Sequence, residues 1–127
     1  MSDTVTRGIR ILVRPEYMAA ESNPDQGHYL FAYHITIRNE GGVTVQLRSR
    51  HWLITNGEGQ VEEVRGPGVV GQQPRLEPGA SFDYTSYCPL DTPVGTMQGS
   101  FQMFDENGEE FDAVIEPFGL SRPGSLN

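Results

Sequence analysis

Residues 28–39 read HYLFAYHITIRN, and this stretch decides the fold. Large apolar side chains stand at every second position from Tyr29 to Ile37, and polar residues such as His34 and Thr36 lie between them. Successive side chains of a β-strand point to opposite faces of its sheet. The alternation therefore predicts a long strand with one buried face and one exposed face. No window of the chain has the apolar spacing of an amphipathic helix.

Shorter segments of the same kind flank this strand and are separated by turns rich in glycine and proline. The chain holds 15 glycines and 9 prolines, spread over its whole length. The predicted strands span residues 8–14, 28–39, 43–55, 60–65, 81–87, 97–105 and 109–116. Short strands with frequent turn signals predict an all-β fold, namely a seven-stranded antiparallel β-sandwich of the fibronectin type III or immunoglobulin-like class. A closed barrel is the alternative.

The third predicted strand changes its apolar face partway along. Val45 and Leu47 are apolar at odd positions, whereas Trp52 and Ile54 are apolar at even positions. Because a strand has a period of two, this change requires one extra residue and predicts a bulge or bend within residues 48–51. We expect Trp52, the only tryptophan, to fill the core of the sandwich.

Two features mark sheet edges. Pro15 predicts either the end of the first strand or an edge position, because proline has no N–H to donate. Glu62 and Glu63 mark the fourth predicted strand as an exposed edge. Exposed edges can pair with a second copy of the chain, so homodimerisation through them is an open alternative.

Length, charge and composition limit the classes of function. The 127 residues predict a single domain, 1–127, with an ordered core of about residues 6–120 and short flexible ends. The single cysteine excludes an internal disulfide, and the N-terminus does not read as a secretory signal, so we expect a cytoplasmic protein. The net charge of −8 argues against nucleic-acid binding. No segment is apolar enough for membrane insertion.

Gly66, Gly68 and Gly71 form a Gly-x-Gly-x-x-Gly motif. Glycine-rich loops bind phosphates because bare backbone N–H groups can converge on an anion. The dinucleotide-binding form needs a helix after the loop, and none can begin in the Gln-Gln-Pro-Arg that follows. Two interpretations stay open. The motif is either a tight structural loop with glycines at positive φ, or a site for a phosphate-containing ligand to which Arg65 or Arg75 adds positive charge.

No group of residues has the pattern of a catalytic site. Cys88 has no neighbouring base in the sequence, and we expect it to be a part-buried apolar side chain. Carboxylates cluster at residues 62–63 and 105–112, where a divalent cation is one hypothesis and a hairpin turn at residues 105–108 is the other. The three histidines lack the spacing of a metal pair. We therefore predict no catalytic residue, no cofactor and no defined metal ligands.

Five stretches carry a resemblance, and they read YLFAYHITIRN at 29–39, RHWLITNG at 50–57, GPGVVGQQP at 66–74, YTS at 84–86 and TPVGTMQG at 92–99. Taken together, they resemble the ApaG family over about residues 6–121. The resemblance implies a fibronectin type III-like sandwich and carries the family's glycine motif onto Gly66, Gly68 and Gly71. It also implies that the chain has no established enzymatic activity and is associated with cobalt resistance and magnesium efflux. Pro67 departs from the family pattern, in which an acidic residue is expected.

Three hypotheses about function follow. The first is a non-enzymatic interaction or regulatory module with a protein partner, because the resemblance extends to domains of eukaryotic F-box and polymerase-interacting proteins. It is linked by the same resemblance to cobalt and magnesium homeostasis. The second is binding of a dinucleoside polyphosphate or pyrophosphate at the glycine-rich loop. The third is binding of a divalent cation to surface carboxylates.

Overall fold

The computed structural model describes residues 1–125 and contains nine β-strands within them. Two short 3-10 helices, Ala19–Glu21 and Pro24–Gln26, lie in the connection between the second and third strands. The strands are β1 (Ser2–Thr6), β2 (Ile9–Tyr17), β3 (Tyr29–Asn39), β4 (Val45–Asn56), β5 (Val61–Pro67), β6 (Arg75–Leu76), β7 (Ser81–Leu90), β8 (Val94–Asp105) and β9 (Glu110–Ser121).

The strands form two antiparallel sheets that pack face to face as a sandwich. One sheet has the order β1-β2-β3-β7, and the other has the order β5-β4-β8-β9 with β6 paired to the start of β4. No helix within residues 1–125 is long and apolar enough to cross a membrane. The all-β sandwich predicted from the alternation of apolar residues is confirmed.

The core lies between the sheets and follows the predicted alternation. Ile9, Ile11 and Val13 of β2 are buried, and so are Phe31, Tyr33, Ile35 and Ile37 of β3. The facing sheet buries Val45, Leu47, Trp52, Met97, Phe101 and Met103. Trp52 packs edge-on against the rings of Tyr33, Phe101 and Phe118, which confirms its predicted place in the core.

The bulge predicted in the third strand lies in β4. The register between β4 and β8 shifts between Leu47 and Ser49, so Arg48 is the extra residue. Beyond the shift the even-numbered positions of β4 face the interior. Arg50 therefore stands on the same side of the sheet as Trp52 and Ile54.

Other predictions need correction. The structure has nine strands rather than seven, because β1 and the two-residue β6 were missed. The added strand β1 begins at Ser2 and pairs with β2 along its whole length. Pro15 lies within β2 rather than at its end, and it lies beyond the residues of β2 that pair with β1. It therefore occupies an edge position, which was one of the two predictions for this residue. Of the C-terminal tail predicted to be frayed, residues 126–127 lie outside the described residues.

Candidate functional site

The two long sides of the sandwich differ in how their edge strands are covered. On one side β1 lies against β9, and short hydroxyl side chains close the gap. The N–H groups of Val114 and Glu116 donate to the hydroxyls of Thr6 and Thr4 at 3.2 and 3.3 Å. The Ser2 hydroxyl donates to the Glu116 carbonyl at 3.1 Å. The polar main chain of β9 is therefore partly satisfied by side chains from the other sheet.

The opposite side is open. There β5 pairs only with β4, and β7 pairs only with β3, among the strands of residues 1–125. Two large apolar side chains stand exposed at this side, Val61 at 62% and Tyr87 at 57%. We call the surface between β5 and β7 the open side.

The two edges of the open side are protected to different degrees. β5 carries three charged residues, Glu62, Glu63 and Arg65, within seven positions. Charges on an edge strand discourage pairing with another chain. β7 spans ten residues and has a single charged residue, Asp83. It is therefore the edge that can more readily accept another strand.

The backbone of β7 also has the geometry for accepting a strand. The N–H of Asn39 donates to the carbonyl of Ala80, and hydrogen-bonded pairs alternate along an antiparallel ladder. Counting along the continuous register, Asp83, Thr85 and Tyr87 direct their N–H and C=O groups away from β3. Pro89 also occupies an outward position, where it leaves the ladder to β3 intact but offers an added strand no N–H.

A cavity of about 240 Å³ opens between the sheets on the open side. Its walls come from both edge strands and from the strands behind them. The lining side chains include Arg50, Trp52, Val64, Met97 and Cys88. A second groove of about 430 Å³ continues past Ile54 and Leu90. A third, of about 600 Å³, begins at Arg50 and runs past Arg48 and Arg65.

Arg50 points into the interior at the place where the first cavity meets the third. Its Nη1 donates to the carbonyls of Pro67 and Gly68, both at 2.9 Å. Neither of these partners is charged, and Arg50 has no carboxylate within 4 Å in the described part of the chain, whereas Arg48 pairs with Glu110. Its Nε and Nη2 hydrogens therefore remain free to bind an acceptor.

Two buried polar groups near Arg50 have no hydrogen-bond partner among the described residues. They are the indole N–H of Trp52 and the hydroxyl of Tyr84. Burial raises the pKa of both Tyr84 and Tyr33, so both rings carry neutral hydroxyls. Burial also raises the pKa of the Cys88 thiol to about 12, with a smaller contribution from the Glu62 carboxylate. The thiol is therefore protonated and unreactive at neutral pH.

The glycine motif has a structural explanation at each of its positions. A Cβ on Gly66 would lie 2.9–3.0 Å from the guanidinium of Arg50, so the missing side chain makes room for that group. Gly68 has a φ of +61°, and a Cβ there would lie 2.3 Å from the carbonyl oxygen of Gln72. Gly71 has a φ of +80° in the turn closed by the hydrogen bonds between Val69 and Gln72.

The glycine-rich loop is hydrogen-bonded to the bulge of β4. The Gly68 N–H and the Gln73 side chain both donate to the carbonyl of Arg48, each at 2.9 Å. The side chain of Val69 is buried in the core. The N–H groups of Gly68, Val69 and Gln72 are thus used within the molecule, and Pro67 has none. They do not converge as an anion cradle does.

The two arginines predicted to assist an anion lie apart. Arg65 lines the 600 Å³ groove together with Arg48 and Arg50, and it donates to Glu63 at 3.1 Å. Arg75 lies on β6, opposite Gln46, and does not line that groove. The positive charge next to the loop therefore comes from β4 and Arg65 rather than from Arg75.

The clustered carboxylates bind arginines and backbone rather than one another. Asp105 accepts the N–H groups of Asn107 and Glu109 at 2.8 and 3.0 Å, which confirms the hairpin interpretation of this segment. Glu109 pairs with Arg7 at 2.9 Å. No group of three or more metal-ligating side chains occurs within residues 1–125. Among the histidines, His51 forms a hydrogen bond with the Glu63 carboxylate. This hydrogen bond is the main reason that the pKa of Glu63 is lowered, and the positive charge of Arg65 is the next largest.

The comparisons with known proteins agree with this fold. The family model of the ApaG domain matches residues 19–105. The chain is 54% identical to Protein ApaG of Rhodospirillum centenum over 123 residues, 97% of this chain and 95% of the relative. It is 56% identical to Protein ApaG of Azotobacter vinelandii over 119 residues, 94% of each chain.

Solved structures give the same result. The crystal structure of an ApaA protein from Bordetella pertussis is 50% identical and superposes with a TM-score of 0.90, covering 92% of this chain and 95% of that one. The C-terminal domain of Wzt superposes with a TM-score of 0.58 at 13% identity, covering 95% of this chain and 77% of that one. The second likeness concerns the fold alone.

Proposed function

This chain belongs to the ApaG domain family, and we propose that it is a non-enzymatic interaction domain that receives an extended segment of a partner protein at the edge of β7. The observation that carries the proposal is the asymmetry of the two sides. Hydroxyl groups of β1 cover the main chain of β9, whereas β7 offers outward N–H and C=O groups beside the cavity of about 240 Å³. Strand addition uses these groups for affinity and side-chain pockets for specificity.

The experiment compares two substitutions of Thr85. Thr85→Pro removes the outward N–H at the centre of the edge and leaves the ladder to β3 in place. Thr85→Ala is the matched control, because both variants lose the 2.8 Å contact of the hydroxyl with His34. Immobilised wild-type chain is used to select binders from a random library of eight-residue peptides, and binding of the selected peptides to both variants is then measured.

We expect Thr85→Pro to weaken binding at least about tenfold relative to Thr85→Ala, since one ladder hydrogen bond contributes about 1 kcal/mol and the ring also blocks close approach. Hydrogen exchange of the Asp83, Thr85 and Tyr87 amides should slow when peptide binds. Equal binding by both variants, or protection confined to β9, would show that the β7 edge is not the binding surface.

A second candidate function is phosphate binding, favoured by the arginines of the 600 Å³ groove. Arg48, Arg50 and Arg65 line it beside Gly66. Titration calorimetry with pyrophosphate tests this candidate on the wild type and on Arg48→Gln, with Arg75→Gln as a control outside the groove. Heat that is lost in Arg48→Gln alone supports binding. Absence of heat from the wild type at millimolar pyrophosphate rejects it.

For the link to cobalt and magnesium, we propose that the domain acts through its protein partner rather than by holding the ion. This is supported by the engagement of its clustered carboxylates, such as Asp105 and Glu110, with backbone N–H groups and with Arg48. A ligand that binds only the folded state must raise its melting temperature. A rise with millimolar Mg²⁺ or Co²⁺ would favour direct binding instead.

A further inference from the structure

The open side holds free hydrogen-bond donors in a cavity that both apolar and polar side chains line. Arg50 has Nε and Nη2 hydrogens without an acceptor among residues 1–125, and the indole N–H of Trp52 is buried without one in the same part of the chain. Both side chains line the cavity of about 240 Å³, together with Val64 and Met97. Guanidinium and indole N–H groups only donate hydrogen bonds, so the complementary group must be an acceptor.

The positive charge of Arg50 determines which kind of hydrogen-bond acceptor suits the cavity. An arginine fork fits a planar carboxylate with two parallel hydrogen bonds. Glu62 is the acidic side chain in the lining, and it lies opposite Ile54. Ile54 is the next inward position of β4 after Trp52 and lies four residues from Arg50. At about 3.3 Å per residue this spacing along β4 is roughly 13 Å. The Arg50 end is therefore the positive end of the cavity.

We propose that the cavity is a subsite for a carboxylate side chain of the incoming partner segment, bound by Arg50 at the Trp52 end, with an apolar side chain two residues away against Val64 and Met97. This proposal rests on the strand addition proposed above and names the chemistry of the partner. The spacing follows from the period of a strand, which brings every second side chain of the added segment to the inner face. The β7 residues Ser86 and Cys88 line the same cavity, so a segment paired with β7 is within reach.

The experiment has a peptide arm. Peptides selected on the wild-type chain should contain an acidic residue two positions from an apolar one. Changing that acid to its amide should weaken binding at least tenfold for the wild type and less than twofold for Arg50→Gln. Arg50→Lys keeps the charge and loses the fork, and it should bind with intermediate affinity. Melting temperatures of both variants show whether the fold is retained.

A small-molecule arm makes the carboxylate test independent of strand addition. Isovalerate and its neutral isostere isovaleramide are titrated against the wild-type chain. The readout is the ¹H–¹⁵N signal of the indole, which is unique because Trp52 is the only tryptophan. Isovalerate should shift this signal with saturation at millimolar concentration, isovaleramide should not, and Arg50→Gln should abolish the shift.

The outcomes separate the two proposals. If peptides protect the β7 amides but acid and amide peptides bind equally, the carboxylate subsite is wrong and strand addition stands. If isovalerate binds while no peptide protects β7, the source is a free small acid, which overturns both the partner segment and the strand addition. If protection of β7 instead rises with protein concentration in the absence of peptide, a second copy of the chain is the occupant and this proposal is overturned.

Discussion

Alanine substitutions in the glycine motif distinguish a structural loop from an anion site. If the loop exists to hold the bulge of β4, each substitution lowers stability in buffer that contains no ligand, and by a different amount. The expected order follows from what a Cβ would meet. It is Gly68→Ala, then Gly66→Ala, then Gly71→Ala.

The size of each effect can be worked out from the structure. At Gly68 the positive φ costs alanine about 1 kcal/mol, and the 2.3 Å approach to the Gln72 carbonyl forces a shift that costs about 2 more. At Gly66 the Cβ displaces the Arg50 guanidinium, a flexible group, and weakens two hydrogen bonds, so about 1–2 kcal/mol is expected. At Gly71 nothing lies within 4 Å, and only the φ cost of about 1 kcal/mol remains.

Urea unfolding followed by Trp52 fluorescence measures these differences. With a slope of about 1.5 kcal/mol per molar, Gly68→Ala should lower the midpoint by about 2 M and Gly71→Ala by about 0.7 M. Gly108→Ala is the matched control, because its φ of +81° and open surroundings copy those of Gly71. Equal stability of all three variants and the wild type would refute the structural interpretation and leave a ligand role for the motif.

Four further predictions concern buried polar groups. Tyr84→Phe removes a hydroxyl that is buried without a partner among the described residues, and it should raise the melting temperature in calorimetry by about 2–4 °C. Asn39→Ala should lower the free energy of urea unfolding by about 3 kcal/mol, because the Asn39 amide donates to the carbonyls of Val43 and Leu76 and these would lose their partner; a loss under 1 kcal/mol would contradict this. Alkylation of Cys88 by iodoacetamide at about pH 8.5 should be at least about 100-fold slower in the folded chain than in urea. Because its folded pKa of about 12 lies above the ordinary value of 9.0, the thiol favours folding below pH 9, and urea titrations should show this contribution lost as the pH rises towards 12.

The sandwich and most of its strands follow from apolar alternation alone. The change of parity between Leu47 and Trp52 was enough to predict the bulge, because a one-residue slip inverts every later side chain. β1 was missed for a physical reason. Its inward residues, Ser2, Thr4 and Thr6, are small and polar and bind the main chain of β9, so they show no apolar alternation. A repeat of hydroxyl residues at every second position was the signal that could have found it.

The open side was only partly predictable. Glu62 and Glu63 correctly mark β5 as an edge. Arg50 was not among the predicted site residues, although the predicted bulge already implies that Arg50 shares a face with Trp52. A single sequence does not show that β7 pairs with β3 rather than with β5. That pairing depends on contacts between residues far apart in the chain, and it creates the cavity beside Arg50.

The edge strands β9, β5 and β7 are protected against strand pairing to different degrees. This difference argues that the exposure of β7 serves a function. Threonine hydroxyls cover β9, and charges on Glu62, Glu63 and Arg65 protect β5 against other strands. Residues 81–90 contain a single charged side chain, that of Asp83. A long edge strand with a single charge is prone to pairing with other chains, which is an aggregation risk. β7 retains this risk and lies beside Arg50, an inward arginine with free donors. This combination is what we expect of an edge that a partner strand covers for part of the time.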